Sequence, residues 1–146
     1  MPKQHILTEF EELYLDFQRK MGAAWHKKME QSISGSQVTI LFHLNAAGPQ
    51  KFSALAERLC ITPGAVTSLS DKLMSAGYAE RKRDEEDRRV VYLEITEEGR
   101  ELVKKLKKDI KDVVKSFFEG VSDEDLEHLT RIYKQILKNI NDIEKE

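Results

Sequence analysis

The stretch ITPGAVTSLSDKLMSAG, residues 61–77, decides how the rest of the chain is read. Thr62 is a good N-cap, because its hydroxyl can accept from an otherwise unpaired backbone N–H at a helix start. Pro63 suits the first helical position, where a missing N–H costs nothing. Val66, Leu69 and Leu73 recur at helical spacing as one buried stripe, and Gly77 offers the left-handed residue that stops the helix. The outward residues Thr62, Gly64, Thr67, Ser68, Asp71 and Lys72 are small or polar. Such a face suits close approach to phosphates and base edges, whereas a protein-binding face more often carries aromatic anchors.

Upstream, the spacing predicts a short helix with Leu55, Ala56 and Leu59, capped by Ser53 and joined to the first stretch by a three-residue turn. Before it, Ser36 is expected to cap a helix bearing Val38, Leu41, Phe42 and Leu44 that ends at Gly48-Pro49. The text SISGS, residues 32–36, breaks the helical pattern that precedes it. In that earlier segment Ile6, Phe10, Leu13, Tyr14, Phe17, Met21, Ala24 and Trp25 fall on one face of a helix.

Downstream comes RKRDEEDRRVVYLEIT, residues 81–96, with residues 78–83 and 89–95 reading as two short strands around an acidic tip. Thr96 with Glu97 and Glu98 restarts helix, the acidic residues standing where the helix dipole favours them. Leu102, Leu106, Ile110, Val113 and Phe117 form its apolar face, and Gly120 ends it. Ser122 and Asp125 make a capping-box pattern before a last helix. There Leu126, Leu129, Tyr133, Ile136, Ile140 and Ile143 alternate in steps of three and four, as in a coiled-coil seam.

The expected fold is therefore mainly α with a small β-hairpin wing: a winged helix-turn-helix over residues 36–96, flanked by N- and C-terminal helices. The flanks, residues 1–34 and 97–146, are expected to form a dimerisation region. Left alone, their apolar faces would exceed the few hundred Å² that monomers tolerate. Phe10, Leu126, Leu129, Tyr133, Ile136 and Ile140 are the candidate dimer contacts. The helix starting at Thr62 is expected to enter a major groove. Thr62, Pro63, Gly64, Thr67, Ser68, Asp71 and Lys72 are its candidate DNA contacts, with Asp71 accepting from a cytosine amino group or orienting the neighbours of Lys72.

A hairpin beside such a helix lies over the adjacent minor groove, which attracts arginine where A·T tracts narrow it. Asp87, Arg88 and Arg89 complete the candidate DNA-binding set. Arg88 and Arg89 are placed to insert, and Asp87 can hold a guanidinium through a bidentate pair. Asp84, Glu85 and Glu86 are expected to face away, paired with Arg81, Lys82 or Arg83.

With 146 residues, 40% hydrophobic and 34% charged, the chain has the size and composition of one soluble core-bearing domain. A net charge of −2 leaves no global basic footprint, so nucleic-acid binding must come from local charge placement. No apolar run approaches the roughly 20 residues that cross a bilayer. MPKQHILTEF turns acidic at once without a signal-peptide core, and a lone cysteine, Cys60, fits a reducing compartment; a cytoplasmic protein is expected.

Three blocks bear a resemblance: LAERLCITPGAVTSLSDKLMSAGYAERKRD, then DEEDRR, then LEITEEGRELVKK. In order and at matching spacing they are similar to the helix-turn-helix, the D-x-R wing element (Asp87-Arg88-Arg89) and the L-x-x-T-x-x-G helix opening (Leu93, Thr96, Gly99) of the MarR family of bacterial transcriptional regulators. The resemblance runs from about Phe10 to the C-terminus. It implies a homodimer on a pseudo-palindromic double-stranded DNA operator, usually a repressor, often released by a small ligand. It also implies an effector pocket where the first, second and fifth helices meet. Phe17, Met21, Trp25, Phe42 and His43 are the candidate lining and a small aromatic or phenolic molecule the candidate effector; these side chains also suit plain core packing.

A winged-helix protein-interaction module without DNA binding is the competing reading, since fold alone does not give function. No enzyme is expected. His5, His26, His43 and His128 are scattered, without HExxH, CxxC, GxSxG or a phosphate loop, so no catalytic residue, metal or cofactor is assigned. Cys60 reads most simply as a small buried apolar residue. Redox-sensing relatives carry their reactive cysteine in the first helix, where this chain has none, so thiol sensing is not expected.

Overall fold

The computed structural model describes residues 2–28 and 33–145, with helices α1 (Pro2–Lys28), α2 (Gly35–Ala47), α3 (Phe52–Leu59), α4 (Pro63–Ser75), α5 (Glu97–Phe117) and α6 (Asp123–Glu144). Strands β1 (Gln50–Lys51), β2 (Ala79–Arg83) and β3 (Val91–Ile95) form an antiparallel sheet in the order β1-β3-β2. The chain divides into two compact units, Met1–Lys111 and Asp112–Glu146.

In the larger unit, the core is drawn from every layer of the winged domain. Ile40, Leu41 and Leu44 of α2, Leu55 of α3, Val66 and Leu73 of α4, Leu93 of β3 and Leu106 of α5 are all buried. On β3 the alternation holds where it matters: Leu93 and Ile95 are buried, while Val91, Tyr92 and Glu94 are half-buried. The hairpin register pairs Ala79 with Ile95 and Arg83 with Val91.

Four boundaries differ from the sequence reading, each for a local reason. Strand β3 starts at Val91, not Arg89, because the Val90 N–H is spent on the Asp87 carbonyl of the tip turn. Helix α2 is capped by Ser34, not Ser36. The Ser34 hydroxyl accepts from the Gln37 N–H at 3.2 Å, and Gln37 Oε1 accepts from the Ser34 N–H at 2.8 Å. Ser36 has Thr39 three residues on, which cannot close that reciprocal box; Thr39 donates instead to the Gly35 carbonyl. Of the SISGS break, Ser32 lies outside the described residues. Helix α3 starts at Phe52 with Lys51 at its N-cap and no side-chain cap, so Ser53 does not cap it. The reason is β1, which the sequence did not announce: Gln50 and Lys51 pair with Leu93 and Tyr92, and the backbone passes directly from ladder to helix. Strand β2 starts at Ala79 because Tyr78 is still spent on the turn that closes α4. The Tyr78 N–H donates to the Leu73 carbonyl and the Gly77 N–H to Met74, with Gly77 at φ +84°, a Schellman closure.

Helix α1 keeps its apolar side open: Ile6, Phe10, Leu13, Tyr14, Phe17 and Met21 are all exposed. The smaller unit shows the same trait. Helix α6, capped by Ser122 accepting from the Asp125 N–H at 3.1 Å, has no buried residue, and Tyr133, Ile136, Ile140 and Ile143 are exposed along it.

Candidate nucleic-acid interface

Helix α4 presents its two faces as its spacing requires. Val66, Ser70 and Leu73 point into the core, while Thr62, Pro63, Gly64, Thr67, Ser68, Asp71 and Lys72 are exposed. The Thr62 hydroxyl accepts from the Ala65 N–H at 3.1 Å, which fixes the first turn. The remaining first-turn amides and the positive end of the helix dipole suit an anion such as phosphate. Nothing lies within 4 Å of where a Gly64 side chain would begin, so a neighbouring backbone can approach closely there. The Thr67 hydroxyl donates to the Pro63 carbonyl at 3.1 Å, which leaves its lone pairs as acceptors.

The wing tip is ordered by its own side chains. The Asp84 N–H donates to the Val90 carbonyl and the Val90 N–H to the Asp87 carbonyl, both at 3.0 Å. Asp84 Oδ1 accepts from the Glu86 N–H at 2.9 Å, and Arg83 Nη1 donates to the Arg88 carbonyl at 3.0 Å. Asp87 grips Arg89 from both carboxylate oxygens, with Nε to Oδ1 at 3.0 Å and Nη2 to Oδ2 at 3.2 Å. The same Oδ1 accepts from the Arg89 N–H at 3.1 Å. The Arg89 side chain, and then its backbone N–H, hold the Asp87 carboxyl below the usual carboxylate range. Although 92% of the Arg89 side chain is exposed, its guanidinium therefore has a defined direction.

The acidic knot does not pair with the basic strand before it. Arg81 Nη2 reaches Asp71 Oδ1 on α4 at 3.4 Å, Lys82 faces Glu94 across the strands at 3.9 Å, and Arg83 serves the Arg88 carbonyl. Asp84 instead turns Oδ1 to its own tip, where it accepts from the Glu86 N–H. The Arg81 guanidinium also lies 5.5 Å from the centre of the Phe52 ring. The sequence alone did not pair Arg81 with Asp71 or Phe52.

Cys60 is not buried. It is exposed at the C-cap of α3 in the left-handed conformation, φ 55° and ψ 43°, where the chain turns toward Thr62. A turn residue there points outward because its two neighbouring helices supply the core.

A cavity of about 600 Å³ opens beside α4, lined among others by Trp25, His26, Gln37, Lys72, Tyr78 and Leu106. A second, of about 390 Å³, is lined by Trp25, Phe42, His43 and Arg58 among others. Of the predicted lining, Trp25 borders both and Phe42 and His43 the smaller, whereas Phe17 and Met21 stay exposed and border neither.

Residues 33–91 match the MarR family. The chain is 32% identical over 112 residues to the HTH-type transcriptional regulator YdgJ of Bacillus subtilis, covering 77% of this chain and 68% of that relative. Its fold is similar to that of Streptococcus pneumoniae FabT solved in complex with DNA, with TM-score 0.75, 24% identity and coverage of 97% and 99%. It is also similar to Bordetella bronchiseptica BpsR, whose DNA binding is regulated by 6-hydroxynicotinic acid, with TM-score 0.73, 17% identity and coverage of 88% and 98%. The chain belongs to the MarR family of winged helix-turn-helix transcriptional regulators.

Proposed function

We propose that the chain is a repressor that binds a pseudo-palindromic DNA operator as a homodimer, with α4 in the major groove and the wing over the adjacent minor groove. The observation that carries this reading is the Asp87–Arg89 grip: an exposed arginine, aimed in advance, at the tip of a hairpin beside a small polar helix face. Thr62, Pro63, Gly64, Thr67, Ser68, Asp71, Lys72, Asp87, Arg88 and Arg89 form the contact set, and residues 36–96 the reading head. A face without aromatic anchors on α4 favours a groove over a protein partner.

Homodimerisation is supported by the open apolar sides of α1 and of α6, each lined with residues that monomers normally cover. Residues 1–34 and 97–146 supply the contacts, Phe10, Leu126, Leu129, Tyr133, Ile136 and Ile140 among them. Symmetric pairing would set two reading heads about one turn of DNA apart.

Release by a small aromatic acid is supported by the two cavities, the larger bordered by Trp25, His26 and Lys72 and the smaller by Trp25, Phe42, His43 and Arg58. In this proposal Trp25, Phe42 and His43 remain effector candidates. Selection of bound duplexes from a random pool tests the whole reading: it predicts an inverted repeat, and recovery of no enriched sequence would contradict it. Quenching of Trp25 by a phenolic or hydroxypyridine carboxylic acid, with parallel loss of binding to the selected duplex, tests the effector.

A further inference from the structure

Arg81 belongs to the wing strand, yet its nearest charged partner is on the reading helix. Nη2 stands 3.4 Å from Asp71 Oδ1, the guanidinium carbon lies 5.5 Å from the Phe52 ring centre, and 53% of the side chain remains exposed. Asp71 follows Thr67 by four residues and Ser68 by three, so it lies on the reading face of α4. One guanidinium thus ties together the helix placed to enter the major groove, the start of the helix before it, and the hairpin placed over the minor groove.

Between a major groove and the adjacent minor groove runs the sugar-phosphate strand that separates them. A cation at the seam between α4 and the wing faces that strand. We propose that Arg81 contacts the DNA backbone at this seam, and that Asp71 and Phe52 position it; the proposal rests on the DNA-binding reading above. Arginine suits the task. It has five N–H donors, and one edge directed to Asp71 leaves others for phosphate oxygens. A guanidinium held near a ring face and tethered at one edge has lost part of its rotamer freedom before binding, so less is lost on contact. On this proposal Asp71 serves the contact set by holding Arg81 and not by reading cytosine. Its negative charge on a DNA-facing surface follows from that duty.

The test uses the full-length protein and a duplex selected by the wild type from a random-sequence pool. Arg81→Gln is expected to weaken binding about tenfold on every sequence and to lower the slope of log affinity against log salt by about 0.9 per bound protomer. Phosphate-ethylation interference should vanish at the backbone between the two grooves and persist elsewhere. Asp71→Asn and Phe52→Leu should give the same footprint loss with smaller affinity changes, and a double variant Arg81→Gln/Asp71→Asn should bind no worse than Arg81→Gln alone. Thermal melting checks that each variant is folded; should Arg81→Gln not fold, the footprints of the other two decide. An unchanged salt slope and footprint in Arg81→Gln overturns the proposal. So does an Asp71→Asn protein that binds more tightly, which would mark simple repulsion, or one that alters preference at a single base pair with its slope intact, which would mark base reading. A wild type that enriches no duplex would instead overturn the DNA-binding reading itself.

Discussion

Thr96 Oγ1 donates to the Gly77 carbonyl at 2.6 Å, tying the start of α5 to the end of α4 across the width of the hairpin. The same oxygen accepts from the Gly99 N–H at 3.1 Å, so one hydroxyl caps a helix and closes the sheet's open end. The Thr96 N–H donates to the Tyr78 carbonyl, and a Cβ on Gly99 would press on that carbonyl and on Ile95 Cγ1. The spacing of Leu93, Thr96 and Gly99 therefore has a steric cause: a buried strand residue, a clamp, and a position with no room for a side chain.

Gly99→Ala should destabilise the protein by about 3 kcal/mol, at the upper end for overpacking, because the obstructing atom is backbone and cannot swing away. Thr96→Val should cost about 1–2 kcal/mol through the lost cap and the lost tie to the Gly77 carbonyl. Urea denaturation of the two variants measures both; a Gly99→Ala protein as stable as wild type would contradict the packing.

Cys60 holds a left-handed backbone that costs an L-residue about 1–2 kcal/mol. Cys60→Gly relieves that strain at an entropic cost of about 0.5–1 kcal/mol. The expected result is a melting temperature equal to or slightly above that of wild type, with operator binding unchanged. A clear loss of stability would show that the thiol packs against something.

Replacing Ile136 and Ile140 by Asp places two charges on the open side of α6. If that side is a dimer contact, sedimentation should find monomer or unfolded chain where wild type sediments as a dimer. A wild type that is a well-folded monomer at micromolar concentration would remove the basis for the dimer.

The wing brace has a defined pH dependence. Binding to Arg89 depresses the Asp87 pKa, so whatever the pair contributes is fully present above the carboxyl's free value of about 3.9 and is lost as pH falls through the lower folded value. Across neutral pH the brace is constant. Observing the Asp87 carboxyl by NMR should show titration below the free value in wild type and a return toward it in Arg89→Ala.

The reading helix was legible because its signals are local: Thr62, Pro63 and Gly77 each act within a few residues of where they stand, and the structure places them as expected. The α2 cap was missed by two residues because Ser34 and Ser36 look alike until Gln37 is seen to bond back. Strand β1 could not be foreseen, since two residues carry no alternation and their partners lie some forty positions away in the chain. The tip's bidentate pair follows from adjacent sequence and was foreseen; the ownership of Arg81 does not, because Asp71 is brought to it only by the turn at Gly77. The cavities share that difficulty: Lys72 and Trp25 border one space only once α1 and α4 are in place.

The central claim is that Asp87 aims Arg89, and the operator affinity of Asp87→Ala at physiological salt tests it most directly. Removing a negative charge from a DNA-facing surface should tighten binding if charge alone matters. If the brace matters, Arg89 is released to wander, and Asp87→Ala should weaken binding about tenfold, with Arg89→Ala weaker still and the double variant no worse than Arg89→Ala alone. Tighter binding by Asp87→Ala would contradict the account.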